Sequence, residues 1–202
     1  PHIYSDNVLP EIKQFREKNK NELWFVLPNV AFEDDMSVLD RILGKIKNDI
    51  TGVLISNIGQ IPLAKRHGLA MRGNWSLNVF NSKCVEFYRS QGIEGITASP
   101  ELKLSEIKRL QATNIEIVGY GRLQLMAFAY CHNNGQCAKC NGEDKMIQDR
   151  SNRIFPIKRV KCANCVSYML NSDVLDISDK MSECSCIARI RLLLDEAPEK
   201  AE

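Results

Sequence analysis

Five cysteines carry the clearest chemical signal in this chain: Cys131-x5-Cys137-x2-Cys140, then, after 21 intervening residues, Cys162-x2-Cys165. A C-x2-C pair can chelate one ion from a single tight turn, and two such pairs at about this separation form a zinc-ribbon pattern. The turn chemistry agrees, with Asn133-Asn134-Gly135 before one pair and Ala163-Asn164 inside the other. Four thiolates also hold an iron–sulfur cluster, which the x5, x2 and distant-fourth spacing suits equally well. Spacing alone leaves both metals open. Cys84 in "NSKCVEFYRS" reads instead as a small buried residue beside Phe80, Phe87 and Tyr88, and Cys184 and Cys186 as packing residues near a sheet. His132, adjacent to Cys131, is badly placed to share one ion with it. His67, before Gly68, reads as a surface residue at a helix end.

Other candidates are less sharply marked. Ser82 and Ser99 fall at expected strand ends, but His2, His67 and His132 sit in no motif pairing a base with a serine or cysteine, and there is no H-E-x-x-H. Asn78, Asn81, Glu101 and Arg122 also fall at strand ends, where polar residues of barrels contact substrate. Asn81 has the competing role of a helix cap, and Arg122 that of an ion-pair partner for the Asp149–Arg150 region. Trp75 and Phe80 read as core.

The elements that must position these residues alternate between strand and helix. Apolar, β-branched runs occur at Leu23–Leu27, Gly52–Ser56, Met71–Phe80, Gly95–Ser99 and Ile115–Tyr120, and each of the first four precedes a helix-periodic segment. The clearest is "DDMSVLDRILGKIKND", with Met36, Leu39, Ile42, Leu43 and Ile46 on one stripe. Asn81-Ser82 and Leu104-Ser105 offer helix starts, and Gly68 and Gly92 offer stops. Repeated strand–helix units imply parallel strands joined by right-handed crossovers. A sixth strand, Ile190–Leu194, follows the cysteine-rich insertion, and a lone helix, "LPEIKQFREKNK", precedes the first strand. The fold class expected is α/β: a partial TIM-like (β/α) barrel of about six parallel strands, the first two absent, with an open six-stranded sheet as the rival. Expected divisions are β/α repeats over 1–121, a cysteine-rich metal-binding insertion over 122–186, and a last barrel strand with tail over 187–202. The insertion begins at the carboxyl end of "IEIVGY", where barrels and open sheets both place their chemistry.

Composition removes several classes. The chain has 202 residues, 44% of them hydrophobic, 26% charged, with a formal net charge of +2. That balance excludes a fibre or a long disordered tract, and the small net charge makes no case for a nucleic-acid surface. Acidic and basic residues alternate along "EIKQFREKNK" as on solvated helix faces. The apolar runs are strand-sized, so no membrane span is expected. With no charged-then-apolar leader, a cytoplasmic location is expected, and close thiol clusters there point to metal or redox use rather than disulfides.

Six blocks in order resemble a known family: "LPNVAFEDDM" (27–36), "NWSLNVFNS" (74–82), "SPELKLSEIKRL" (99–110), "GYGRLQLMAFAYC" (119–131), "IQDRSNRIFPI" (147–157) and "MLNSDVL" (169–175). They are similar to the collagenase-like peptidase family, peptidase family U32, in its branch with an inserted domain of unknown function. The resemblance implies a TIM-like barrel whose first two strands precede this chain, and a [4Fe–4S] cluster on four cysteines. It implies a part in hydroxylation of transfer RNA, ribosomal RNA or the ubiquinone ring, and so RNA or a small aromatic molecule as partner. The family's protease label rests on no agreed nucleophile. Carried over by position, Cys131, Cys140 and Cys165 match family ligands; Cys137 is the natural fourth, with Cys162 the alternative. Two departures stand out: "YCHNN" lacks the usual proline after the cysteine, and Tyr120 replaces a common histidine before Gly-Arg. Three readings compete: an iron–sulfur hydroxylation-type enzyme or part of one, a metal-dependent or cryptic protease, and a zinc-stabilised non-catalytic domain.

Overall fold

The computed structural model describes residues 4–110, 112–130, 145–185 and 187–194. Six strands lie parallel in one curled sheet: β1 (Trp24–Val26), β2 (Gly52–Ile55), β3 (Ala70–Gly73), β4 (Ile93–Thr97), β5 (Ile115–Gly121) and, last in the chain, β11 (Arg189–Leu192). This is the expected partial barrel, curled into about half of a closed one. Before β1 comes α1 (Val8–Lys18), and the crossovers contain α2 (Glu33–Ile46), α3 (Ile61–Arg66), α4 (Ser82–Ser90) and α5 (Leu104–Ile107). Between β5 and β11 the chain builds a separate antiparallel sheet, ordered β6 (Gln124–Phe128), β9 (Cys165–Leu170), β8 (Ile154–Lys161) and β7 (Lys145–Gln148). A short β10 (Leu175–Asp176) then returns to pair antiparallel with the end of β5.

The parallel register sorts the side chains. Phe25, Val53, Met71 and Ile93 stand side by side and face the helices, as do Ile96 and Ile115. Leu39, Ile42, Leu43 and Ile46 of α2 meet them and are completely buried, as the stripe requires. The opposite, inner face carries Trp24, Arg72, Thr97, Glu116 and Arg191. A barrel interior normally fills with branched apolar side chains. Here Leu54 and Val118 share the face with charged and polar side chains, with Arg72 stacked over the Trp24 ring at 3.8 Å and bonded to Glu22 at 2.9 Å.

Several local expectations are corrected. The run Met71–Phe80 is not one strand. After Gly73 the Asn74 side chain accepts a hydrogen bond from Trp75 N–H and starts a 3-10 turn over Trp75–Leu77, which ends at Asn78 in the left-handed region, φ 55°. Val79 takes the buried position there, so Phe80 is exposed and Trp75 only half-buried. The helix expected through "ELKLSEIKRL" shortens to Leu104–Ile107 and a 3-10 turn over Lys108–Leu110. Its start is held by Glu106 accepting from the Lys103 backbone N–H, not by Ser105. Cys84 is only partly buried, whereas Cys184 joins the core. His67 is no surface residue: its ring lies 2.7 Å from Asp40, and that pairing with His67 and Arg66 holds the Asp40 carboxyl below the usual carboxylate range.

Gly52 shows how closely the strands pack, since a Cβ there would meet the Ala70 carbonyl oxygen at 2.4 Å and the Trp24 ring at 2.6 Å. Gly52→Ala should therefore destabilise by roughly 1–3 kcal/mol in urea unfolding, the usual cost of overpacking. Gly59→Ala, where the nearest atom is a side-chain oxygen at 3.3 Å, should be nearly neutral.

Candidate functional site

The carboxyl ends of the parallel strands open into a cleft of about 620 Å³. Each wall has a local cause. After β2, the buried Gln60 side chain accepts from the N–H groups of Ser56 (2.9 Å) and Asn57 (3.1 Å) and donates to Pro28 O (2.7 Å), fixing two strand ends at once. After β3, the left-handed Asn78 turns its amide oxygen to accept from Ser99 Oγ at 2.9 Å. After β4 come Ser99, Pro100 and Glu101; Leu123, Gln124 and Leu125 close the cleft from the insertion side. The lining is rich in amides and hydroxyls, with Trp75 and Tyr88 supplying aromatic surface. Glu101 is the one charged side chain in it among the described residues.

Beneath the cleft lies a hydrogen-bonded network centred on Asn74, 3% exposed. Its amide nitrogen donates to Ser56 Oγ (2.8 Å) and Asn29 Oδ1 (3.4 Å), and its oxygen accepts from Trp75 N–H and Arg191. Asn29 in turn donates to Gln124 at 2.8 Å. Arg191 also pairs with Glu116, whose carboxylate lies 2.8 Å from Thr97 Oγ1. Strands first and last in the chain are thus tied to the loops that line the cleft. An asparagine whose donors and acceptor are all engaged has one orientation only.

A second cavity, of about 600 Å³, is lined by Phe32, Glu33, Asp34, Ala129, Asn164 and Cys165. It lies where the insertion sheet meets the first turn of α2. The β8–β9 hairpin closes with Lys161 opposite Cys165 and with Cys162 N–H donating to Asn164 O at 2.9 Å. Cys162 points inward: its thiol donates to Asp35 O at 3.7 Å, and burial pushes it up to about 11. Cys165 instead borders the cavity. The two cavities have no lining residue in common, but both draw on the stretch after β1, with Asn29 in the first and Phe32 in the second, and on β6 and the residue after it, with Leu125 in the first and Ala129 in the second. Three residues lie between Leu125 and Ala129, a path of ~13 Å along extended chain.

Of the candidates named from sequence, Asn78 and Glu101 line the cleft. Asn81 does not: its side chain caps α4, accepting from Cys84 N–H at 3.0 Å. Arg122 donates to the carbonyls of Asn171 and Ser172, while Asp149 is held by Arg153 at 3.0 Å instead. Ser82 Oγ is spent on Leu110 O, and Ser99 is 1% exposed. Cys131, Cys137, Cys140, Cys186, His2 and His132 lie outside the described residues. Among the described residues no three His, Cys, Asp or Glu side chains gather as a metal site, and no helix is long and apolar enough to cross a membrane. Asn29, Ser56, Asn74, Gln124 and Asp35 escaped the sequence reading. Asn74 and Asp35 could have been suspected only as polar residues beside apolar runs.

A family model described as peptidase family U32 matches residues 4–184. The chain is also similar to an "uncharacterized protease MJ0090" of Methanocaldococcus jannaschii, 24% identical over 172 residues. That match covers 75% of this chain and 42% of the relative, so the chain spans less than half of that protein. No solved structure matches.

The Asn74 network has a measurable consequence. Asn74→Ala strands the Ser56 hydroxyl and one Arg191 bond, and should cost about 2–4 kcal/mol in urea unfolding, as buried polar groups left unpaired do. Asn78→Gly relieves the left-handed backbone but takes the acceptor from the buried Ser99 hydroxyl, and should cost about 1 kcal/mol net in the same assay.

Proposed function

Since this chain belongs to peptidase family U32, we propose that it forms the greater part of an iron–sulfur site of the hydroxylation type, which takes a flat ring, an RNA base or a small aromatic molecule, into the amide-lined cleft. The observation that carries the reading is that two cavities take their linings from the same two stretches of chain: one is bordered by Cys165, the other lined by Asn29, Asn78, Gln124 and Trp75. Amides present paired donors and acceptors to a ring edge, and an indole face suits a planar ring. With Glu101 its one charged lining group among the described residues, the cleft favours a neutral ring over an anion.

The donor chemistry fits a cluster. Cys131, Cys137, Cys140 and Cys165 would be the four thiolates, soft ligands suited to iron–sulfur or zinc. Tyr130, last described residue of the chain leaving β6, directly precedes Cys131 in sequence. Phe32 precedes the 14-residue α2, which Glu33 and Asp34 begin, and all three border the same cavity as Cys165. Cys162, turned inward and held as a thiol, is the less suitable member of its pair. When bound, a cluster supplies single-electron chemistry; the chain's own residues orient the ring and shape the cleft.

Peptide hydrolysis is the second reading, favoured by the family description and by the relative's name. It lacks support in side-chain geometry. Among the described residues the sole histidine, His67, ends α3 and so lies at the amino end of the sheet, away from the cleft. Ser99 is bonded to an amide rather than to a base.

Anaerobic reconstitution should yield a brown protein with about four irons and matching sulfide, as a cubane cluster requires. Cys165→Ser should abolish it and Cys162→Ser should leave it intact. One zinc per chain in a colourless protein would favour the zinc-stabilised domain, and iron retained in Cys165→Ser would refute the ligand assignment. Incubation with casein and denatured collagen should give no cleavage. Cleavage that copurifies with the chain and survives metal removal would favour the peptidase.

A further inference from the structure

We infer that Asp35 is a positioning residue, a latch that fastens the Cys162–Cys165 hairpin to the first turn of α2 so that Cys162 faces inward and Cys165 faces the second cavity. The role of Cys165 as a ligand rests on the cluster reading above; the latch does not.

A buried carboxylate is costly unless its charge is met. Asp35 is 1% exposed, and no cation pairs with it among the described residues. Its neighbours Glu33 and Asp34 gain from the same helix end while exposed, so helix-start electrostatics alone do not explain why Asp35 is buried. The explanation lies in its two oxygens. Oδ2 accepts from Phe32 N–H at 2.8 Å, closing the helix start in the ordinary way. Oδ1 accepts from Asn164 N–H at 2.8 Å, a residue 129 positions away in sequence. The same turn offers its backbone carbonyl to the Cys162 thiol. Both ends of the three-residue loop are therefore bound to one side chain and its own peptide. Fixing the Asn164 peptide fixes where the next side chain, Cys165, leaves the backbone. The C-x2-C pair, symmetrical in sequence, is divided into an inward thiol and a cavity thiol by one residue, whose carboxylate holds Asn164 and whose backbone carbonyl holds Cys162.

The test is peptide-resolved alkylation of the metal-free chain by iodoacetamide. In the unaltered chain Cys162 should react slowly, because a thiol engaged inside the fold reacts only through local opening. Asp35→Ala, which removes both acceptor oxygens, should raise the Cys162 rate by about tenfold or more, while Asp34→Ala leaves it unchanged. Asn164→Pro deletes the same bond from the hairpin side with the helix start left whole, and should release Cys162 equally. An unchanged Cys162 rate in Asp35→Ala overturns the latch. If the variants fail to fold, hydrogen exchange decides in the unaltered chain: the Asn164 amide should exchange slowly, and rapid exchange overturns the proposal. Iron uptake is read in parallel. Release of Cys162 with loss of iron in Asp35→Ala supports both readings, whereas release in a chain that never takes up iron supports the latch and sinks the cluster.

Discussion

The buried amide of Asn74 is the interaction on which the functional end of this molecule depends. A parallel sheet is covered by helices on its outer face, and here α2 and its neighbours meet the apolar side chains in the usual way. On the inner face no helix packs among the described residues, and charged and polar groups stand there beside Leu54 and Val118. Those groups are tolerable only because they satisfy one another: Arg191 with Glu116, Glu116 with Thr97, Arg191 with Asn74, and Asn74 with Ser56 and Asn29. The network reaches from the last strand to the loops after β1, β2 and β3, so the shape of the cleft and the cohesion of the inner face are one property. A polar core of this kind specifies arrangement as well as stability, because a half-satisfied version would be worse than an apolar one.

The cleft and the cysteine-bordered cavity share two pieces of chain, β6 and the segment from Asn29 to Asp34. Gln124, at the start of β6, accepts from Asn29 at 2.8 Å, while the same strand runs on towards Ala129 beside Cys165. Asp35 then pins the hairpin bearing Cys165 to the helix that follows Asn29. Both cavities are in this way referenced to the same rigid elements, which is what a two-part site requires if its parts must hold a fixed separation.

Much of this was legible in the residues. The apolar runs at 23–27, 52–56, 95–99 and 115–120 mark strands because a parallel strand is buried on both faces, and the α2 stripe follows from helical period. The third strand was misread: "MRGNWSLNVF" has strand composition throughout, but Asn74 and Asn78 bend it through contacts with distant residues. The insertion sheet was missed because its strands mix Lys158, Arg159 and Lys161 with apolar residues, a weak alternating signal. Asn81 declared itself a cap by its place before a helix. Asp35 looked like any acid in a first turn, and only the partner 129 residues away distinguishes it from Asp34. Spacing found the C-x2-C pair, but not which member faces the cavity.

The central claim, that the Cys165 cavity and the amide-lined cleft are two parts of one site, is tested most directly by nuclear magnetic resonance of the reconstituted chain. Reduction of the centre to a paramagnetic state should broaden the side-chain amide signals of Asn29 and Gln124, leaving that of Asn114, at the amino end of the sheet, sharp. Sharp Asn29 and Gln124 signals beside a demonstrably paramagnetic centre would contradict it.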